Sequence, residues 1–337
     1  MISAKLKSAA VAAIGLTALS FAVSQARAQE ATIAIPAQNL LFLQQYIAAD
    51  QHLWEKQGLN TKVVYIIGVG ATNAVIAGSA DFSMASGPTV TRANAKGQKV
   101  VALLTAINKS GQSVVIRKEV ADAAHFDPKA PLAERAKVLK GRKIAVGAVG
   151  SISDAVLRIV AADGGLGPDD MVVPPMQPPE FMAAMANKSI DGFSNSSPFP
   201  EQLIAAGTGV LVSDSRFGEP TEFDPVSSLL LLARGDFCAQ RQSTCEKMVY
   251  ALYQAIQIIR NDPQTSLAVE KAHFGNAYDD KVLQAAYETV KAMTPDNPIT
   301  TAQMLENGDN MNVAAGFMKA EEKLSDYKPL IDNSYVK

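Results

Sequence analysis

The chain is 337 residues long and 48% hydrophobic, with 31 Lys and Arg against 33 Asp and Glu, a formal net charge of −2. That slightly acidic balance excludes the basic surface that nucleic acid or an anionic membrane would recruit. The apolar content excludes a disordered linker, and the length gives room for two cores.

Residues 1–28 read as an export signal. Lys5 and Lys7 make a positive start, an apolar run follows from Ala9 to Val23, and Ala26-Arg27-Ala28 has the small-x-small form that a signal peptidase reads. The run, about 15 residues, is shorter than the ~20 that a membrane-spanning helix needs. Cleavage after Ala28 removes Lys5, Lys7 and Arg27 and no acid, which takes the net charge to −5. No cysteine follows the cleavage site to carry a lipid. A soluble periplasmic protein without membrane insertion is expected, with an uncleaved N-terminal anchor as the alternative.

Strand and helix then alternate. "ATIAIPA" (31–37) reads as a strand, and Leu40 to Lys56 as a helix carrying Leu43, Ile47 and Trp54, stopped at Gly58. "KVVYII" is a strand, "GVGATNAVIAG" a glycine turn into a short helix, "ADFSMA" a strand, "GPTVTRANAKG" a helix and "KVVALLTAI" a strand. Short turns between alternating elements are the signature of parallel βαβ units. After "QSVVIRK" (112–118) the order recurs. "RKIAVGA" is a strand, "GSISDAVLRIVAADGG" a helix and "DMVVPPM" a strand. "PPEFMAAMANKS" is a helix, "IDGFSNS" a strand, "SPFPEQLIAAGTG" a helix and "GVLVSDS" a strand. The stretch 119–141 has no clear assignment beyond a surface loop and a helix around Pro131 to Leu139.

The recurrence has a register. "GSADFSMASGP" (78–88) and "KSIDGFSNSSP" (188–198) match at Ser79/Ser189, Asp81/Asp191, Ser86/Ser196 and Pro88/Pro198, and Gly97/Gly207 keep the offset. The fold expected is therefore α/β, two doubly wound lobes joined by two hinge strands, with a helical C-terminal tail. Lobe 1 comprises residues 29–112 and 231–337, and lobe 2 residues 113–230. "QSVVIRK" and "SSLLLLARGDF" (227–237) are the crossings. Met248, Val249, Leu252, Tyr253, Ile256 and Ile259 share one face of the next helix, and the tail is expected on lobe 1.

Cys238 and Cys245 are an even pair in an exported chain and read as a disulfide contributing roughly 2–3 kcal/mol. A metal pair or a redox site is the alternative, though the spacing is not C-x-x-C. Ser243 and Glu246 have the spacing of a capping box for the helix that follows.

Open parallel sheets bind ligands beyond the carboxyl ends of their strands. Those loops hold Gln38, Asn39, Thr72, Ser86 and Gly87 in lobe 1, and Ser151, Ser153, Gln177, Asn195 and Ser196 in lobe 2. These residues offer hydroxyls, amides and backbone N–H groups. Ser151 and Asp154 have the S-x-x-D spacing of a helix start, a place where an anion can sit or where Ser151 simply caps its own helix. "GVGATN" lacks the third glycine of a dinucleotide fingerprint. His52, His125 and His273 are scattered, without metal spacing or a neighbouring nucleophile motif. Holding a molecule fits better than transforming it, and neither cofactor nor metal is expected.

"AADQHLWEKQGLNTKVV", "AVIAGSADFSMASGP", "LKGRKIAVGAVGSISDAVLR" and "MANKSIDGFSNSSP" resemble the periplasmic substrate-binding proteins of the nitrate/sulfonate/taurine-type ABC importers, whose wider family includes binders of pyrimidine thiamin precursors. The resemblance implies a type II periplasmic binding protein fold and a monomer that traps a small-molecule ligand, a small organic anion or heterocycle, by lobe closure. It also implies an inner-membrane permease and its ATPase as partners. Its ligand residues carry over to Gln38, Asn39, Thr72, Ser86, Ser151, Ser153 and Asn195. In one departure the cleft loops hold no Arg or Lys, although Arg92 lies just inside a helix. Phe181, Phe193, Phe199 and Phe223 could line a heterocycle pocket or belong to the core. Two other readings stay open: an enzyme on the same fold, like the pyrimidine synthases with a cysteine-rich iron site, or a receptor that feeds a membrane sensor.

Overall fold

The computed structural model describes residues 28–177 and 179–336. The export signal expected over residues 1–28 lies outside the described residues except for Ala28. The first part of the chain forms β1 (Gln29–Ile35), α1 (Leu43–Asp50), α2 (Leu53–Lys56), β2 (Leu59–Tyr65), α3 (Gly70–Ile76), β3 (Phe82–Ala85), α4 (Gly87–Ala95) and β4 (Val100–Ile107). The middle forms β5 (Ser113–Arg117), α5 (Lys118–Ala123), α6 (Leu132–Ala136), β6 (Ile144–Val146), α7 (Ile152–Asp163), α8 (Glu180–Ala186), β7 (Gly192–Asn195), α9 (Phe199–Ala205) and β8 (Gly209–Ser213). The last part forms β9 (Leu229–Arg234), α10 (Phe237–Gln240), α11 (Gln242–Asn261), α12 (Pro263–Phe274), α13 (Asp280–Met293) and α14 (Ala302–Ala314).

Two sheets result, ordered β2-β1-β3-β9-β4 and β6-β7-β5-β8. β1 runs parallel to β2 and β3, and β6 to β7. β9 lies antiparallel between β3 and β4, and β5 antiparallel between β7 and β8. The segments expected as crossings are thus central strands of the sheets they enter. β5 follows the first sheet's β4 but completes the second sheet, and β9 makes the reverse exchange. The chain between the sheets is residues 108–112 and 214–228. Val114–Ile116 and Leu229–Ala233 are buried throughout, and a strand covered on both faces reads as an unbroken apolar run.

The sequence repeat is a repeat of hydrogen bonds. Asp81 accepts from the Thr32 N–H at 2.8 Å, and Asp191 from the Lys143 N–H at 3.0 Å. Each aspartate thereby ties the start of its own strand to the neighbouring parallel strand. The Ser79 hydroxyl donates to the Ala74 carbonyl at 3.1 Å and the Ser189 hydroxyl to the Ala184 carbonyl at 3.3 Å, closing the two preceding helices alike. Gly78 and Lys188 both take left-handed backbone there, φ 77° and 62°.

Several local expectations are corrected. The helix expected over 40–56 breaks at His52, φ 51°, into α1 and α2, after a 3-10 turn at Leu40–Phe42. "DMVVPPM" makes only isolated bridges, Lys143 with Val172 and Val146 with Pro175, because Pro174 and Pro175 bring no N–H to a ladder. The stretch 119–141 supplies α5, α6 and a 3-10 turn whose Ala136 and Leu139 join the second core, and Arg135 there pairs with Glu219 at 2.6 Å. α11 starts at Gln242, so Ser243 lies inside its first turn and does not cap it. Cys238 and Cys245 are bonded to each other within the first core.

The tail does not keep to one lobe. Met248, Val249, Leu252, Ile256 and Ile259 of α11 fill the first core. Met311 and Ala315, however, belong to the second core, and the Tyr278 ring meets Phe199 of α9 edge-on at 6.3 Å. α14 packs on both α4 and α7, and α13 packs on α9. Among the described residues no helix is long and apolar enough to cross a membrane.

Where the tail meets the second lobe lies a buried acid. Glu270 of α12 is fully buried and neither carboxyl oxygen has a hydrogen-bond partner. Burial, reinforced by Glu201 of α9, pushes its pKa from 4.5 up to about 8. The folded state therefore holds a proton that the unfolded chain releases near pH 4.5, so stability is full below that pH and falls as pH rises toward about 8. Glu270→Gln removes most of this decline and leaves the part due to Glu201, whose pKa burial also raises. Melting curves from pH 4.5 to 8.5 are expected to coincide for wild type and variant at the acid end, with the variant roughly 5 °C higher at the alkaline end; parallel profiles refute the assignment.

Candidate functional site

The carboxyl ends of β1, β2 and β3 face those of β6 and β7, and the loops beyond them enclose a cleft. Counting its open mouth, the cleft holds about 750 Å³. Lobe 1 contributes Asn39, Thr72, Ser86 and Thr89, lobe 2 contributes Ser151, Ser153, Gln177, Asn195 and Ser196, and the connections contribute Gln112 and Ser228. Leu41, Phe42, Ile67, Val69, Met84 and Ile152 form its apolar lining. At the mouth the lobes nearly touch: a Cβ on Gly68 would lie 2.9 Å from the Ala148 Cβ.

The amides have a defined direction. Asn39 is 4% exposed and precedes the Leu40–Phe42 turn, where its Oδ1 accepts from the Leu41 N–H at 3.1 Å. Asn195 is 4% exposed, and its Oδ1 accepts from the Ser196 N–H at 2.9 Å. With both oxygens occupied, both Nδ2 groups are left to donate, one from each wall. Gly147 stands opposite the Asn195 amide, where a Cβ would make ordinary contact with Nδ2 at 3.5 Å. The side chains of Thr72 and Gln112, each 3% exposed, line the same space, and no described residue bonds to them. No Asp, Glu, Lys, Arg or His is among the lining residues.

Eight of the ten expected residues come together here; two do not. Gln38 is exposed outside the cleft, and the Gly87 N–H is already donated to the Ser227 carbonyl at 2.6 Å. Ser86 caps α4 by accepting from the Thr89 N–H at 3.3 Å. Ser151 does not cap α7. Its hydroxyl donates to the Ala148 carbonyl at 2.6 Å and shares a hydrogen bond with Ser153 Oγ at 2.9 Å. Asp154 is fully buried, accepts from the Gly150 N–H at 2.8 Å and pairs with Arg158 at 2.8 Å.

Arg92 stands in the last turn of α4, not near its start, and does not line the cleft. The four phenylalanines are core. Phe181 stacks on Phe193 at 4.8 Å and meets Phe199 edge-on at 5.9 Å, while Phe223 joins the other cluster of lobe 2. His273 pairs with Asp50 at 3.0 Å, and His52 and His125 occupy left-handed turns. Gln112 and Ser228 escaped sequence reading, although both flank strands that cross from one sheet to the other.

The family model described as the NMT1-like family matches residues 29–272. A Brucella abortus protein named a candidate binding protein is 26% identical over 291 residues, covering 83% of this chain and 84% of its own. The alkanesulfonate-binding protein SsuA of Xanthomonas axonopodis pv. citri, solved with MOPS bound, superposes with a TM-score of 0.69 at 17% identity, covering 90% of this chain and 98% of that one. The periplasmic nitrate-binding protein NrtA of Synechocystis gives 0.66 at 16% identity, covering 87% and 83%. The fold is that of the periplasmic binding proteins, two α/β lobes around a cleft.

Asn39 combines two jobs that substitution separates. Asn39→Ala removes the turn cap and is expected to cost about 1 kcal/mol of stability. Asn39→Ser keeps an accepting oxygen without burying a charge and is expected to cost less than half as much, while it takes the amide donor out of the cleft. Urea denaturation of the two variants checks this.

Proposed function

The chain belongs to the NMT1-like family, and we propose that it is the solute-binding component of an ABC importer, acting in the periplasm after export. It captures a small molecule between the lobes 29–112 with 231–337 and 113–230, and delivers it as a monomer to an inner-membrane permease served by an ATPase. The observation that carries this reading is the cleft itself. Donors from both lobes converge on it, and no lining side chain is charged or paired as an acid–base couple.

The chemistry of the lining supports a ligand class. Asn39, Asn195, Thr72 and Gln112 suit an acceptor-rich head such as a sulfonate, carboxylate or pyrimidine carbonyl, and Leu41, Phe42, Ile67, Val69 and Met84 suit an apolar flank. Without a countercharge a doubly charged anion loses more in desolvation than hydroxyls and amides return. A neutral or singly charged ligand is therefore preferred. Closure follows because the ligand contacts both walls only when they meet, which shifts the population toward the closed form.

A melting-temperature screen with MOPS, methanesulfonate, nitrate, benzoate and uracil tests the reading. A bound member at a hundredfold excess over its Kd is expected to raise Tm by roughly 5 °C, whereas sulfate and phosphate leave it unchanged. Asn195→Asp and Asn39→Asp abolish the shift by placing an acid where a donor stood. If no compound shifts Tm and native mass spectrometry finds nothing co-purified, the solute-binding reading fails.

A further inference from the structure

We propose that Arg92 is the latch by which the first lobe holds the second lobe's cleft loop, so that it sets the balance between open and closed protein without touching the ligand. This gives a conformational role to the residue next to the solute site read above, and rests on that reading only for its purpose.

The contacts form a closed circuit. Arg92 Nη2 donates to the Gly150 carbonyl at 2.7 Å, and Nη1 to Asn312 Oδ1 at 3.2 Å. Asn312 is itself fixed, donating to the Pro88 carbonyl at 2.8 Å and to Thr91 at 3.3 Å, so α14, which packs on both α4 and α7, aims the guanidinium. Across the gap, Gly150 gives its N–H to Asp154, and Asp154 pairs with Arg158. Arg92 and Arg158 each lie 5.4 Å from the centroid of the Phe317 ring. A cation at a ring face is attracted to it, so Phe317 holds the two arginines together despite their like charge.

The geometry is particular to the loop. Gly150 has φ 74°, left-handed backbone that glycine adopts without strain, and its carbonyl accepts from Arg92, while Gly147, Ala148, Ser151 and Ser153 of the same loop line the cleft. On the other flank, the Leu40 N–H donates to the Ser197 carbonyl at 3.1 Å. These two hydrogen bonds join the cleft loops, beside the packing of α14 on α7 and of α13 on α9. The Leu40 clasp is backbone to backbone, but the Arg92 clasp depends on one side chain. A charge-assisted hydrogen bond outweighs a neutral one. Removing it is expected to move the open–closed ratio roughly tenfold toward open.

The test needs no ligand, so its failure is distinct from failure of the solute-binding reading. Spin labels on Lys62→Cys in lobe 1 and Ala183→Cys in lobe 2, both exposed positions, report the interlobe distance by pulsed electron resonance. Ligand-free wild type is expected to show a short-distance component, which Arg92→Ala depletes about tenfold and Arg92→Lys reduces less. Arg92→Gln keeps the packed stem and serves if the alanine variant folds poorly. Amide exchange in Gly150–Ser153 should quicken about tenfold in Arg92→Gln while the β3 and β4 amides stay unchanged. Identical distance distributions in wild type and Arg92→Gln, or equal exchange in the loop, overturn the latch.

Discussion

Each sheet is completed by a strand that arrives from the other. β9 reaches the first sheet only after the chain has built the second, and β5 enters the second directly from the first sheet's β4. Because both exchanged strands sit between two partners, neither can leave without opening a ladder on each side. The exchange fixes the two connections side by side, and their ends, Gln112 and Ser228, line the cleft. The carboxyl ends of both sheets then face the same gap. The site is a result of this topology before any side chain is chosen.

Side chains then decide what the gap can hold. The walls offer amides and hydroxyls whose oxygens are mostly engaged within the protein, which leaves N–H groups pointing inward. Charged groups nearby are occupied with each other: Asp154 with Arg158, and Arg92 with a backbone carbonyl of the opposite lobe. The field in the cleft is therefore set by neutral dipoles. Such a site discriminates by shape and donor placement more than by net charge. Ala85 against Asn195 is the clearest difference between the two wall segments, since only one of the pair brings a donor.

Much of this was legible in the sequence. The offset of 110 residues marked equivalent strands because Asp81 and Asp191 perform the same backbone-tying task, and a task performed twice leaves the same letters twice. Serine, threonine, asparagine and glutamine at strand ends identified eight of the cleft residues, since those positions follow from βα alternation alone. Legibility ended where long-range packing decides. Nothing local distinguishes Ser86, which caps its helix, from Ser151, which bonds back into its loop because Asp154 is held by Gly150 and Arg158. The apolar runs at 114–116 and 229–233 announced buried strands but not which sheet would receive them. Arg92 reads in the sequence only as a cation just inside a helix, yet its use depends on Asn312, 220 residues away.

The tail that straddles both lobes has a thermodynamic consequence. Met311 and Ala315 are part of a core whose other members come from residues 114–226, while α11 fills the other core. Neither core is closed by its own stretch of chain, so loss of one strips apolar cover from the other. Two cores that share their cover exchange cooperativity as well as surface. Heat should find one transition here rather than two.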